Sequence, residues 1–208
     1  MYPDYIKVWI LRSFKGKNKK TWYVYITEMV NISMRYVIDF IQTARRLKDI
    51  FRTGWKLSGV DRPESVADHS FCVAMLAMIL GDTCDLDTEK MMKMALLHDL
   101  VESKLGDIHY ESKTYIGEAA LHTAEEKAAH DLLPQNYLEI WEEYSQNQSP
   151  EARIVTACDK LELYFQALHY EKTGYRGLDH FWENSWNRKD FTPEIQQLFE
   201  FLQEMRTP

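Results

Sequence analysis

The sequence predicts an all-α domain, a compact bundle of about six to seven helices. A short N-terminal stretch of different texture precedes it and reads as a β-hairpin appendage. Three observations carry this. From Met34 onward apolar residues recur at helical spacing, with no alternating runs. Only 8 Gly and 6 Pro punctuate 208 residues, so loops are few. Apolar residues make up 45% and charged residues 27%, the balance of a chain that buries a core, at a length suited to one domain.

Before Met34, IKVWILRSF and TWYVYITE are rich in β-branched and aromatic residues, and KGKNKK lies between them as a turn. Residues 1–33 are therefore read as an extension and residues 34–208 as the functional domain. The first helix, MRYVIDFIQTARRLKDIF, places Val37, Phe40, Ile41, Ala44, Leu47 and Ile50/Phe51 on one stripe. The loop TGWKLSGVDRPES follows. Ser65 then caps VADHSFCVAMLAMIL, whose apolar content predicts nearly complete burial. Asp85 and Asp87 precede TEKMMKMALLHDLVES, read as one helix running to Gly106. A more polar fourth helix spans roughly Ile116–Leu132 and stops at Pro134, and WEEYSQNQ closes a fifth. Pro150, tolerated in a first turn, opens the long EARIVTACDKLELYFQALHYEK, which Gly174 and Gly177 break. A last helix begins near Pro193.

The net charge of −7 argues against gripping a nucleic acid polymer, which needs a basic surface to displace counterions. A small anionic substrate needs only a local cluster of positive charge. Cys72, Cys84 and Cys158 form no CxxC pair and read as reduced thiols. No apolar run approaches the roughly 20 residues of a membrane span. The N-terminus lacks the pattern of a signal peptide. A cytoplasmic location with no membrane partner is the expectation.

His98 and Asp99 interrupt the most apolar part of a helix expected to be buried. Burying a carboxylate there costs several kcal/mol unless it is paired or holds a metal. The competing reading is a His–Asp hydrogen bond that satisfies itself. His69 is likewise a polar ring in an apolar run, and Asp159 stands in the middle of the long helix between Val155 and Leu163. Two imidazoles and two carboxylates suit one divalent ion of the Mn, Co, Fe, Ni, Zn or Mg group better than Ca. Glu102, four residues past His98 and three past Asp99, is placed on their helical face, where it can handle protons. The alternative is an exposed helix-end glutamate.

The order His69, His98-Asp99, Asp159 resembles the HD-domain phosphohydrolase superfamily. RTGWKLSGVDRPESVADHS, HDLVESKLGDI and LLPQNYLEIWEEY are similar to the HD-domain 5′-deoxynucleotidases, over about Tyr36 to Glu200. The resemblance implies a helical homodimer that hydrolyses deoxyribonucleoside 5′-monophosphates. It implies Glu102 as the acid or base, and Asp107 as a group orienting the leaving 5′-oxygen or supporting the site. Arg52 is implied to hold phosphate and Trp55 to stand beside the sugar. A plain turn aspartate, a surface arginine and a core tryptophan are the bland readings of the same residues. Another nucleotide substrate and a non-catalytic nucleotide-binding module are the rival functions. His130-Asp131, in a charged context, reads as solvated. Cys72 and Met91, Met92 and Met94 read as packing, and His109, His122, His169 and His180 show no partnered context.

Overall fold

The computed structural model describes residues 34–183 and 191–206. The expected hairpin in residues 1–33 lies outside the described residues. The backbone groups into two units, Met1–Gln42 and Thr43–Pro208. Helix α1 covers residues 34–46. Its expected core stripe is not one: Val37, Ile41 and Phe51 are exposed, and of that set only Leu47 is fully buried. Val37 and Ile41 keep the helical period, so their exposure reflects packing and not winding. Beyond residue 46 the helix closes: Leu47 and Lys48 donate backward by three residues, to Ala44 and Arg45, which tightens the turn and takes residues 47–51 off the period.

The second unit is helical throughout, with no strand among the described residues beyond an isolated bridge between Phe51 and Ser65. The helices are α2 (Thr53–Leu57), α3 (Val66–Thr83), α4 (Thr88–Leu97), α5 (Glu102–Leu105), α6 (Tyr110–Ile116), α7 (Glu118–Leu132), α8 (Gln135–Ser145), α9 (Pro150–Lys172), α10 (Asp179–Glu183) and α11 (Pro193–Arg206). Helix α3 packs chiefly on α4, α9 lies against both, α8 closes α4 and α9 from the side, and α11 lies on α9. Several starts and stops follow the sequence. Ser65 and Asp68 form a capping box, Ser149 accepts the Ala152 amide at 3.1 Å, and Pro150 opens α9 where its missing N–H costs nothing.

Two boundaries and one burial differ from expectation. The segment read as a helix to Gly106 is broken, because α4 ends at Leu97 and α5 is separate. The polar fourth helix begins at Glu118; Ile116 belongs to α6, and Gly117 turns the chain between them at φ 85°. Helix α3 is not wholly buried, since Phe71, Met75 and Ile79 share an exposed face and Cys72 is exposed too. By length and mean hydropathy (18 residues, 1.3) α3 is long and apolar enough to cross a membrane. It carries Asp68 and His69, and its Val73, Ala74 and Ala77 sit in the core of the bundle.

Gly81 explains how closely α3 and α4 approach. A Cβ there would stand 2.8 Å from Thr88 Oγ1, 3.1 Å from the Thr88 Cα and 3.2 Å from Met91 Sδ. Alanine is the better helix former by about 1 kcal/mol, but overpacking against backbone costs about 1–3 kcal/mol. Gly81→Ala is therefore expected to lower stability by up to about 2 kcal/mol, read from the urea midpoint. An unchanged midpoint would show that the two helices separate freely at this point.

Candidate metal centre and substrate pocket

The bundle brings four side chains from three segments to one point. His69 projects from the first turn of α3, Asp159 from the middle of α9, and His98-Asp99 from the end of α4. The helical placement predicted for His98-Asp99 is corrected here. Beyond His98 the amides of Leu100, Glu102 and Ser103 donate three residues back, to Leu97, Asp99 and Leu100. That tighter winding eclipses residues three apart. It lays Glu102 over Asp99, instead of setting it on an α-helical face.

His69 Nε2 lies 3.2 Å from Asp159 Oδ1 and 3.7 Å from Asp99 Oδ2, and His98 Nε2 lies 3.1 Å from the same Asp99 oxygen. The outer nitrogens are already engaged. His69 Nδ1 contacts Glu162 Oε2 at 2.6 Å, and His98 Nδ1 contacts the Ala95 carbonyl at 2.7 Å. A carbonyl and a carboxylate only accept, so both rings carry hydrogen on Nδ1 and turn Nε2 inward. Both Nε2 atoms are buried without a well-formed hydrogen bond. Two carboxylates crowded against two ring nitrogens call for positive charge among them, a proton on a ring or a metal ion in its place. The donor set fits a divalent ion of the Mn–Zn series, and His69, His98 and Asp99 offer ligand atoms within 4.8 Å of one another.

The charges show how strongly the site seeks that cation. Burial and Arg52 oppose a charged His69, yet Asp159 and Glu162 outweigh them and push its pKa up to about 10. Burial also opposes an ionised Asp99 or Asp159. Neighbouring groups outweigh it, chiefly His98 for Asp99 and Lys160 for Asp159, so both carboxyls sit well below the usual range.

Beside the centre, Arg52 precedes α2 and reaches Asp99 at 3.4 Å and Asp107 at 3.5 Å. Asp107 also accepts the Thr53 amide at 2.5 Å, while Thr53 Oγ1 donates to the Asp107 carbonyl at 2.8 Å. Asp107 is thus a strap that fixes the Arg52 loop. Glu102 is pushed up to about 10, first by burial and then by the charges of Asp99 and Asp107. Trp55 is buried, donating to Glu64 Oε1 at 2.8 Å, with ring centroids 3.9 Å from Phe181 and 5.2 Å from Tyr170. These residues border a cavity of about 180 Å³ whose wall includes Arg52, Trp55, Asp99, Glu102, Asp107 and Asp159. All six had been singled out from the sequence, and His69 and His98 lie deeper.

The sequence reading missed other parts of the wall. His109 and His180, expected to lack context, border the cavity together with Lys113, Lys160 and Phe181. Glu162 was missed as well, although it stands one turn past Asp159, the spacing that would have found it. The decoys stay apart: His130 is 63% exposed beside Glu142, and Met91 and Met94 are core. Cys72, expected in a buried run, is exposed instead, because it falls on the open face of α3.

A helical bundle whose α3, α4 end and α9 close two inward imidazoles and two carboxylates around one point defines a metal-site helical domain. Residues 44–199 match the HD-domain family, and the chain belongs to it. It is similar to the human 5′-deoxynucleotidase HDDC2, 34% identical over 83% of this chain and 87% of that protein. It is also similar to the 5′-deoxynucleotidase hdd1 of Schizosaccharomyces pombe, 32% identical over 65% of this chain and 73% of that protein. A crystal structure of a Pyrococcus horikoshii protein superposes with a TM-score of 0.71 at 35% identity, covering 81% of this chain and 98% of that one.

The Glu102 environment sets a pH dependence. An unfolded glutamate ionises near pH 4.3, whereas the folded one holds its proton to about 10. The unfolded state therefore loses its proton first, and this group costs increasing stability as pH rises between those values. In chelator, Glu102→Gln is expected to match the unsubstituted chain near pH 4 and to melt at a higher Tm at pH 8. A Tm difference that shrinks on raising the pH would mean that Glu102 is ionised in the folded, metal-free protein.

Proposed function

We propose that this chain is a metal-dependent phosphomonoesterase that releases phosphate from deoxyribonucleoside 5′-monophosphates. The observation that carries the reading is the convergence of His69, His98, Asp99 and Asp159 beside a half-buried acid, Glu102, at the edge of a cavity. Relatives named 5′-deoxynucleotidases, in animals and in yeasts, supply the substrate class.

His69, His98, Asp99 and Asp159 would hold one divalent ion. When bound, it supplies positive charge against the phosphoryl oxygens and acidifies water. The other steps belong to side chains. Arg52, fixed by Asp107, presents its guanidinium to the phosphate as a planar donor. Glu102, which burial and its neighbours keep protonated, donates to the 5′-oxygen as water adds to phosphorus and the ester phosphorus–oxygen bond breaks, releasing the nucleoside as an alcohol. Asp107 acts through Arg52 and Thr53, not on the leaving oxygen directly. Trp55, backed by Phe181 and Tyr170, forms part of the cavity wall and would stand beside the sugar, where its bulk disfavours a 2′-hydroxyl. Cytoplasmic location, homodimeric assembly and a hairpin extension over residues 1–33 complete the reading; the unpaired Cys72, Cys84 and Cys158 support the first.

Chelator-stripped protein restored with Mn, Co, Mg or Zn should release phosphate from deoxyribonucleoside monophosphates ahead of ribonucleotides, triphosphates and cyclic nucleotides. Glu102→Ala is expected to lower kcat by about 10²–10⁴, and Asp159→Ala to abolish release. Release from other nucleotides alone would keep the site and discard the substrate. Bound metal with no release from any nucleotide would leave a binding module.

A further inference from the structure

The metal reading accounts for the inner nitrogen of His69 but not for what lies behind it. Glu162 is 2% exposed and His69 is fully buried, and they meet at 2.6 Å. A buried carboxylate needs strong partners to offset the loss of water, so a lone glutamate on the core side of α9 calls for an explanation. Glu64 stands next to the pair: carboxylate oxygens of Glu64 and Glu162 and a nitrogen of His69 lie within 4.8 Å of one another. Glu64 holds three further groups. Its side chain accepts the Trp55 indole N–H at 2.8 Å, its carbonyl accepts the Arg52 amide at 3.0 Å, and its own amide donates to Tyr170 Oη at 2.8 Å.

We propose that Glu162 and Glu64 are positioning residues: Glu162 fixes the His69 tautomer, and Glu64 ties that imidazole to the Arg52–Trp55 wall. Glu162 accepts the Nδ1 hydrogen, which leaves the Nε2 lone pair aimed at the centre and makes the ring a better donor. Without that acceptor the ring is free to carry hydrogen on Nε2, which would close one coordination position. Glu64 joins the two halves of the site through a single residue. One half is the ligand at the start of α3. The other is the loop that carries the guanidinium and the indole.

The inference rests on the metal reading, so its test reads metal binding apart from turnover. Co²⁺ is titrated into the chelator-stripped full-length chain, followed by calorimetry and visible absorption. Glu162→Leu is expected to weaken Co²⁺ binding about 10–100-fold. Glu162→Gln, whose carbonyl still accepts from Nδ1, should stay near the unsubstituted affinity. Should the Leu variant not fold, Glu162→Asp, one methylene short, is expected to bind Co²⁺ more weakly than Glu162→Gln. The reverse order, or a folded Glu162→Leu with undiminished affinity, overturns the assignment. For the second link, Glu64→Leu should raise KM for a deoxyribonucleoside monophosphate about tenfold with kcat little changed, and Glu64→Gln should restore it. An unchanged KM in Glu64→Leu removes that link. Failure of the unsubstituted chain to take up Co²⁺ would remove the metal reading itself.

Discussion

The structure depends on one electrostatic constraint: two carboxylates and two imidazoles crowded where little water screens them. His69 and His98 turn their Nε2 atoms towards Asp99 and Asp159 over 3.1–3.7 Å, inside a bundle that buries both rings. Such an arrangement needs positive charge, which Arg52, Lys160 and a proton on His69 supply and which a metal ion would concentrate at one point. Much of the local architecture serves to impose it. Ser65 fixes where α3 begins and so the height of His69, Ser149 and Pro150 do the same for Asp159, and the tightened turn after α4 sets Asp99 beside His98. The outward nitrogens are held by Ala95 and Glu162, which leaves neither ring free to turn away.

Most of the fold was legible because its signals are local. Capping serines, a first-turn proline and the glycines after Lys172 act on their immediate neighbours, and the corresponding boundaries follow them closely. The failures share a different cause. Whether α1 buries Val37 and Ile41, or α3 buries Phe71 and Met75, depends on what else packs there, and composition cannot report that. The break after Leu97 was hidden because an α-helix and its tighter variant have nearly the same apolar period over one turn.

In the site, the converging residues were legible because polar groups in apolar runs are expensive and therefore informative. His69, His98, Asp99 and Asp159 all stood out on that ground, and the structure places them together. The bland reading of Trp55 as a core residue holds, since the indole is buried against Phe181, and it borders the cavity as well. His109, Lys113 and His180 were illegible because nothing in their own neighbourhoods is costly. Only the folding of distant segments onto one cavity gives them a place.

Helix α6 has a consequence of another kind. It buries none of its own residues, lies between Gly106 and Gly117 at φ 77° and 85°, and still supplies Tyr110 and Lys113 to the cavity wall. The parts around the cavity thereby differ in tolerance to change. The cage is built into the core, where an exchange disturbs packing, while this seven-residue helix can be rewritten at small thermodynamic cost. One wall of the cavity can then be altered through α6 without touching the residues that converge at the centre.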